Sequence, residues 1–548
     1  MFLPILNKSS PMSSFYMESQ PRAFSIKLWP PSEATRRILV ERMTKNLSTE
    51  SLFSRKYGLL SKEEASENAT EIEKTCFCIA NDHFEEEPDG DGSSAVQLYA
   101  KETSKLMLEI LKRGPKKKED VDFTEVNASQ RIVFDISGGR RDFLNADEAG
   151  ELLSPLKEEG NAYTKICFSN RSFGVDAARV AEPILRSVTK QLVEVDLSDI
   201  VAGRPEDEAL EVMRLFSSAL ESCELKYLNL SNNAMGEKGV RAFESLFRSQ
   251  NSLEELYLMN DGISEEAAKA LCELIPSTDK LRILHFHNNM TGDEGALAIS
   301  EVLKRCPLLE DFRCSSTRVD SEGGIALAEG LETCTHLKKL DLRDNILGVE
   351  AGIVFSKTLE KLASINELYL SYLNLEDKGA VAIFDALKQS SCCLEVLEIA
   401  GNEITEKAAP SLAACLVNKQ TIKKLSLSEN DLKDEGAVLI GKALEGTNPQ
   451  LKELDFSYNM LKRVGARCLA RAVVSNKPEF ILLNLNGNAI SEEGIEDVKD
   501  ILKAKAQSVL GPLDENDPEG EDEEDEGEEV CEDGEEDMEA KLQNLRVE

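Results

Sequence analysis

Positive charge is scarce in this 548-residue chain: 64 Lys and Arg stand against 101 Asp and Glu, a formal net charge of −37. Nucleic acid and anionic membrane both reward neutralisation by Lys and Arg, so neither is expected as a partner, and a partner with a basic face is favoured. Long apolar runs are missing too. No stretch approaches the roughly 20 apolar residues of a membrane span, and residues 1–21 have no basic segment leading into an apolar one. The chain reads as soluble and intracellular, without direct membrane insertion.

Chemistry-bearing residues are equally sparse. The four histidines are His83, His285, His287 and His336. The 13 cysteines, among them Cys167, Cys223, Cys306 and Cys334, are scattered through helix and strand patterns and read as buried free thiols in a reducing compartment. Cys76 with Cys78 and Cys392 with Cys393 are the tight pairs, and neither has the second pair or nearby His that a zinc site needs. No metal site is expected. Phosphate cradles of the G-x-x-x-x-G-K-[ST] or G-x-G-x-x-G kind, a G-x-S-x-G elbow and an H-E-x-x-H pair are all absent, which argues against an enzyme with its own active site.

What is present is a repeat. Leu225-Lys-Tyr-Leu228-Asn-Leu230-Ser-Asn-Asn233 fits L-x-x-L-x-L-x-x-N, and similar segments begin at Leu253, Leu281, Leu309, Leu337, Ile365, Leu394, Ile422, Leu451 and Phe480, 28 or 29 residues apart. Weaker copies start at Leu192 and Tyr163, for roughly twelve units. Each motif alternates apolar and polar residues, as a half-buried strand does, and a helical pattern such as Glu237 to Phe247 follows. The fold class is α/β: a leucine-rich-repeat solenoid with a curved parallel sheet and outer helices. Asn233, Asn289, Asn345, Asn402, Asn430, Asn459 and Asn488 occupy the position that satisfies backbone groups in the turn after each strand, with Asp261, Thr317 and Leu373 replacing Asn in three units.

The chain is expected to divide into a disordered N-terminus (1–21), a small all-α domain (22–113), a linker and cap (114–160), the solenoid (161–512) and an acidic tail (513–548). Residues 514–539 hold 18 Asp or Glu and no Lys or Arg, too little apolar surface to order. The tail is either a solvating segment or a contact for a basic partner. Trp29, the one tryptophan, stands in Trp29-Pro30-Pro31 ahead of three or four helical patterns, as core or as an exposed anchor for a partner. The basic stretch around Lys116-Lys117-Lys118 is a linker or an import signal.

Two features single out the early repeats. Outward strand positions carry Asn229, Tyr257, Met259, His285, His287 and Arg313, a mixture suited to protein binding. The spacing from Leu192 to Leu225 is 33 residues, and the extra length falls around Val201-Ala-Gly203-Arg204-Pro205.

The solenoid, the Ala202-Gly203-Arg204-Pro205 loop, the Tyr257-Leu-Met-Asn260-Asp261-Gly262 turn and the acidic tail together resemble the Ran GTPase-activating proteins. The block at Trp29-Pro30-Pro31 resembles the WPP domain that plant members carry in front. The resemblance implies an activator of the GTPase Ran that is not itself an enzyme, with no cofactor of its own, because GTP and Mg²⁺ are carried by Ran. It implies that Asn260 orients the GTPase's catalytic glutamine, an amide holding an amide. Arg204 is a finger, a docking ion pair or a loop brace. Tyr257, Met259, Asp261, His285, His287 and Arg313 are the expected partner-binding residues. Trp29, Pro30 and Pro31 are the expected targeting residues, directing the protein through coiled-coil anchors to the outer face of the nuclear envelope and, in dividing cells, to the division plane. By position alone, Asn232 and Asn288 are equals of Asn260. The rival reading is a non-catalytic leucine-rich-repeat scaffold or inhibitor.

Overall fold

The computed structural model describes residues 29–31, 33–48, 60–86, 92–113, 132–137, 141–475, 477–503, 505 and 509–517. The expectations for residues 1–21, for the basic linker beyond 113 and for acidic residues 518–548 fall outside these. The chain forms two compact units, residues 1–127 and 128–548.

The first unit contains, among its described residues, three helices: Glu33–Ser48, Lys62–Glu86 and Ser93–Arg113. Its core is built around Trp29, which is 1% exposed, stacks on Phe77 at 5.4 Å between centroids and meets the edge of Tyr99 at 5.5 Å. The indole N–H donates to Asn81 Oδ1 at 3.4 Å. Gly92 lies so close that an added Cβ would fall 2.3 Å from that of Trp29. Beneath the rings, buried Glu73 receives a two-pronged contact from Arg36 (2.6 and 2.9 Å) and the Tyr99 hydroxyl at 2.9 Å, so its charge is paired away from water. The alternative of an exposed tryptophan anchor is therefore overturned. A large apolar ring with three helices to cover it is core, and of the tripeptide it is Pro30 that is exposed.

The second unit is built, among its described residues, on a sheet of 13 strands, from Ile132–Asp135 through Tyr163–Cys167 to Leu482–Asn484, every neighbouring pair parallel, with a second sheet of two parallel strands, Asp142–Leu144 and Arg171–Phe173, near its start. The sheet starts one strand earlier than the repeat motif suggests: residues expected as a cap supply the edge strand Ile132–Asp135 and a helix, Ala146–Leu152, closed by a capping box between Asn145 and Glu148. The central strand residues Leu228, Leu256, Leu284, Phe312, Leu340 and Leu368 pair in register and are at most 1% exposed. Each contributes about 1.5–3 kcal/mol by leaving water, against the cost of ordering the chain. A one-residue slip would turn this whole row to solvent.

The helix after each strand covers the other side of this core. In Glu265–Leu274, Ser264 caps the first turn by accepting from the Ala267 N–H, Glu265 and Glu266 lie where the helix dipole favours negative charge, and Ala267, Ala268, Leu271 and Leu274 form the buried face.

The turn between strand and helix is fixed by a buried amide. Asn289 Oδ1 accepts from the Asp261 and Ile263 N–H groups of the preceding repeat, both at 3.0 Å, and its Nδ2 donates to the carbonyls of Leu258 (2.8 Å) and Phe286 (2.5 Å). Asn345 does the same for Thr317, Val319, Cys314 and Leu342. The series ends at Asn516, which accepts from the Asn488 N–H at 3.0 Å. Residues 514–517, expected in the disordered tail, thus belong to the closing turn of the solenoid, where the Glu515 N–H also donates to Asn486 Oδ1 of the preceding turn at 3.0 Å.

Replacing Asn345 with Ala strands four buried backbone groups at about 1–3 kcal/mol each, so a loss of at least about 3 kcal/mol is expected as a lower urea midpoint. Asn288→Ala, one position before a ladder residue and exposed, should change stability by less than about 0.5 kcal/mol. Equal effects would contradict the ladder's role.

Candidate functional site

Immediately before each ladder position stands a residue in left-handed backbone conformation: Asn232 (φ 65°), Asn260 (58°), Asn288 (59°), Ser316 (53°), Asp344 (57°) and Tyr372 (58°) continue from repeat to repeat. Asn tolerates this region better than most residues. While the ladder residue turns inward, its predecessor turns outward, so a second row of side chains runs along the surface. Asn260 is exposed, and its Nδ2 donates to Asn232 Oδ1 at 3.0 Å while its Oδ1 accepts from Asn288 Nδ2 at 2.9 Å. Three residues indistinguishable by position become one chain of amides, with Asn260 alone engaged on both sides. It retains one N–H and one lone pair for a partner.

Beside this row lies an open groove of about 550 Å³, lined by Asn260, Asn288, Met290, Arg318, Asp344 and Ile346 among others. Met290 and Ile346 are 42% and 58% exposed, large apolar groups on a charged surface. Sequence reasoning missed them, although each directly follows a ladder Asn.

Arg204 is held rather than free. The loop turns at Gly203 (φ 77°), where an added Cβ would come within 2.9 Å of the Phe143 ring. Arg204 then folds back, and its guanidinium donates to the Ser172 carbonyl (2.7 Å), the Ser172 hydroxyl (3.1 Å) and the Leu144 carbonyl (3.3 Å), 5.0 Å from the Phe143 ring centroid. Glu208, in the first turn of the helix Glu206–Leu220, adds an ion pair at 3.4 Å. Of the three roles left open, this geometry is that of a brace. Its strand, Glu194–Asp196, lies two strands from Glu255–Tyr257, about 10 Å along the sheet from the strand that leads into Asn260.

The expected partner-facing residues divide. Tyr257, Met259, His287 and Arg313 are half-buried on the concave side of neighbouring repeats. Tyr227, Tyr257 and His285 are in ring contact at 5.3 and 4.9 Å. His285 is 7% exposed, covered by Tyr257 and 3.1 Å from Asp311, so it supports this surface from beneath and is corrected from the partner-binding set. Burial pushes the Asp311 carboxyl up, but His285 and the two-pronged Arg313 contact outweigh it and bring it to about 2. His287 is shifted down by burial first, then by His285 and Arg313, which keeps it neutral near pH 7. Asp261 is a second correction: it is completely buried, in the ladder itself, and accepts from the Asn233 N–H at 2.7 Å. Among the described residues no group of three or more His, Cys, Asp or Glu is placed to hold a metal ion, and no helix is long and apolar enough to cross a membrane.

If Arg204 is a brace, Arg204→Ala should speed amide exchange across residues 201–205 by tenfold or more. Arg204→Lys should restore only part of the protection, since one ammonium cannot reach the three acceptors a planar fork does. Unchanged exchange in Arg204→Ala would remove the bracing role.

Residues 25–121 match the WPP domain family, and residues 221–243, 333–356 and 418–441 match a leucine-rich-repeat family. MFP1 attachment factor 1 of Solanum lycopersicum is 37% identical over 17% of this chain and 61% of its own length. RAN GTPase-activating protein 1 of Arabidopsis thaliana is 63% identical over 96% of this chain and 98% of the relative. RAN GTPase-activating protein 2 of the same plant is 64% identical over 92% of this chain and 93% of the relative. With likeness at that level running through the helical unit and the solenoid alike, the chain belongs to the Ran GTPase-activating protein family.

Proposed function

We propose that this chain stimulates GTP hydrolysis by the small GTPase Ran, as a regulator that lends an ordered surface to chemistry done in Ran's own site. The observation that carries the reading is Asn260: an exposed amide on a turn fixed from below by the buried ladder, tied to Asn232 and Asn288 on either side, with a donor and an acceptor to spare. A glutamine side chain presents the complementary donor and acceptor. Holding that glutamine in line with the attacking water costs no reorganisation at the moment of reaction. GTP and Mg²⁺ come with Ran, and the chain supplies no cofactor. Arg204, engaged with backbone carbonyls, fixes the loop shape and is not poised as a finger.

The concave strip of Tyr257, Met259, His287 and Arg313 offers the docking area, supported by His285. The WPP unit serves targeting to the nuclear envelope and the division plane through coiled-coil anchors, with Pro30 and exposed apolar groups such as Ile79, Val96 and Leu108 as available contacts. Trp29 acts there by holding the unit folded.

The test is single-turnover hydrolysis of Ran-bound GTP with catalytic amounts of this chain. Strong acceleration is expected, and Asn260→Ala should lose roughly 10² to 10³ of it, as removal of a preorganised transition-state contact does, with an unchanged urea midpoint. No acceleration by the intact chain would leave a passive scaffold in its place.

A further inference from the structure

The ladder residue beside Asn260 breaks the ladder's own rule. From Asn233 to Asn516 its sibling positions hold Asn, apart from Thr317 and Leu373, whereas Asp261 brings a carboxyl group to a site that is 0% exposed. One oxygen, Oδ1, does what the Asn oxygen does and accepts from the Asn233 N–H at 2.7 Å. The other, Oδ2, is buried with no hydrogen-bond donor facing it.

The siblings show what that second atom faces. At the three Asn nearest to it in the ladder, Nδ2 donates to a carbonyl three residues earlier: Asn233 to Leu230 (2.6 Å), Asn289 to Phe286 (2.5 Å), Asn345 to Leu342 (2.8 Å); farther along, Asn402 and Asn459 donate instead to the carbonyl two residues earlier. Where Thr317 replaces Asn, its hydroxyl donates to the same carbonyl in register, Cys314, at 2.9 Å. The position calls for a donor, and by register the acceptor for Asp261 is the Leu258 carbonyl. An ionised carboxylate has no proton to give and would set its charge against that carbonyl, away from water.

We propose that Asp261 is held as the neutral carboxylic acid, its Oδ2 proton donated to the Leu258 carbonyl, and that in this form it is a positioning residue for the Asn260 amide. The second half rests on the Ran reading above; the first does not. No charged side chain offsets the burial. Burial is the largest influence and pushes the carboxyl well above the usual carboxylate range, with the Asn233 N–H the one opposing contact. From the following repeat the group that meets this turn is the Asn289 amide, which accepts from the Asp261 N–H. His285 and His287 on that repeat's strand interact instead with Asp311, Arg313, Asp341 and Arg343. On the flanking helices, Glu237 faces Arg241 and Glu265 lies against Gly292.

The proton gives the role a signature that packing alone lacks. A folded chain that keeps a proton the unfolded chain has released loses stability as pH rises above about 4, until the folded-state group itself ionises. Asn has no such proton, so the ratio of unfolding constants between the intact chain and Asp261→Asn should change by up to about tenfold per pH unit across that window.

The experiment is difference infrared spectroscopy on the full chain at pH 7, intact against Asp261→Asn, with single-turnover hydrolysis measured alongside. A carboxylic-acid carbonyl band present in the intact chain and missing from Asp261→Asn is expected; a difference spectrum holding only carboxylate bands overturns the protonation. In hydrolysis, Asp261→Asn should stay within about twofold of the intact chain, while Asp261→Ala loses tenfold or more in maximal rate with little change in KM. Equal losses in the two variants would overturn the positioning role. The infrared result needs no GTPase, so an intact chain that shows the band but does not accelerate hydrolysis would count against the Ran reading and not against the neutral acid.

Discussion

Everything in the solenoid depends on one hydrogen-bonding problem: a strand must turn sharply into a helix every 28 or 29 residues, and the turn's backbone groups are shut away from water by the next repeat. A lone buried N–H or carbonyl costs about 1–3 kcal/mol, and a dozen unsolved turns would exceed the stability of any ordinary domain. The buried amide solves it because Asn carries an acceptor and two donors on a short arm. Asn289 alone ties together two repeats through four contacts.

The same corner produces the surface proposed to meet the GTPase. Sending the ladder residue inward forces its predecessor into the left-handed region with its side chain outward, which is why Asn232, Asn260 and Asn288 stand in a row. Rigidity and display are two consequences of one turn. An amide presented this way has already lost its conformational freedom, so contact with a partner's glutamine does not have to restrict it again. The groove with Met290 and Ile346 borders the row for the same reason: those residues follow the ladder Asn on the outer side of the turn.

The repeat period, the strand register and the inward leucines were legible in the sequence because periodicity is a one-dimensional signal. The ladder was legible at Asn345 or Asn402 for the same reason. Single deviations were harder. Asp261 was legible by register as a ladder position and, through the resemblance, as a partner-binding residue, and three-dimensional stacking decides for the first because its position has no water. Trp29 beside two prolines carried no mark of the rings of Phe77 and Tyr99 that close over it, which come from helices farther along the chain. Residues 514–517 were concealed by composition, because a closing turn written in acidic residues reads like the tail that follows it; Asn516 at the ladder spacing was the signal available. At Arg204 the brace stood as one of three readings and the sequence could not choose it, because its acceptors include backbone carbonyls of Leu144 and Ser172, which have no sequence identity.

In the proposed function the middle amide of an exposed row, and not the row as such, acts on the GTPase. It is tested most directly by comparing Asn232→Ala, Asn260→Ala and Asn288→Ala in single-turnover hydrolysis at saturating concentrations. The account predicts a collapse of the maximal rate for Asn260→Ala and losses of no more than about tenfold for its two neighbours, each of which removes one of the tethers holding Asn260. Comparable collapses in all three variants, or a collapse in a neighbour with Asn260→Ala still active, would contradict it.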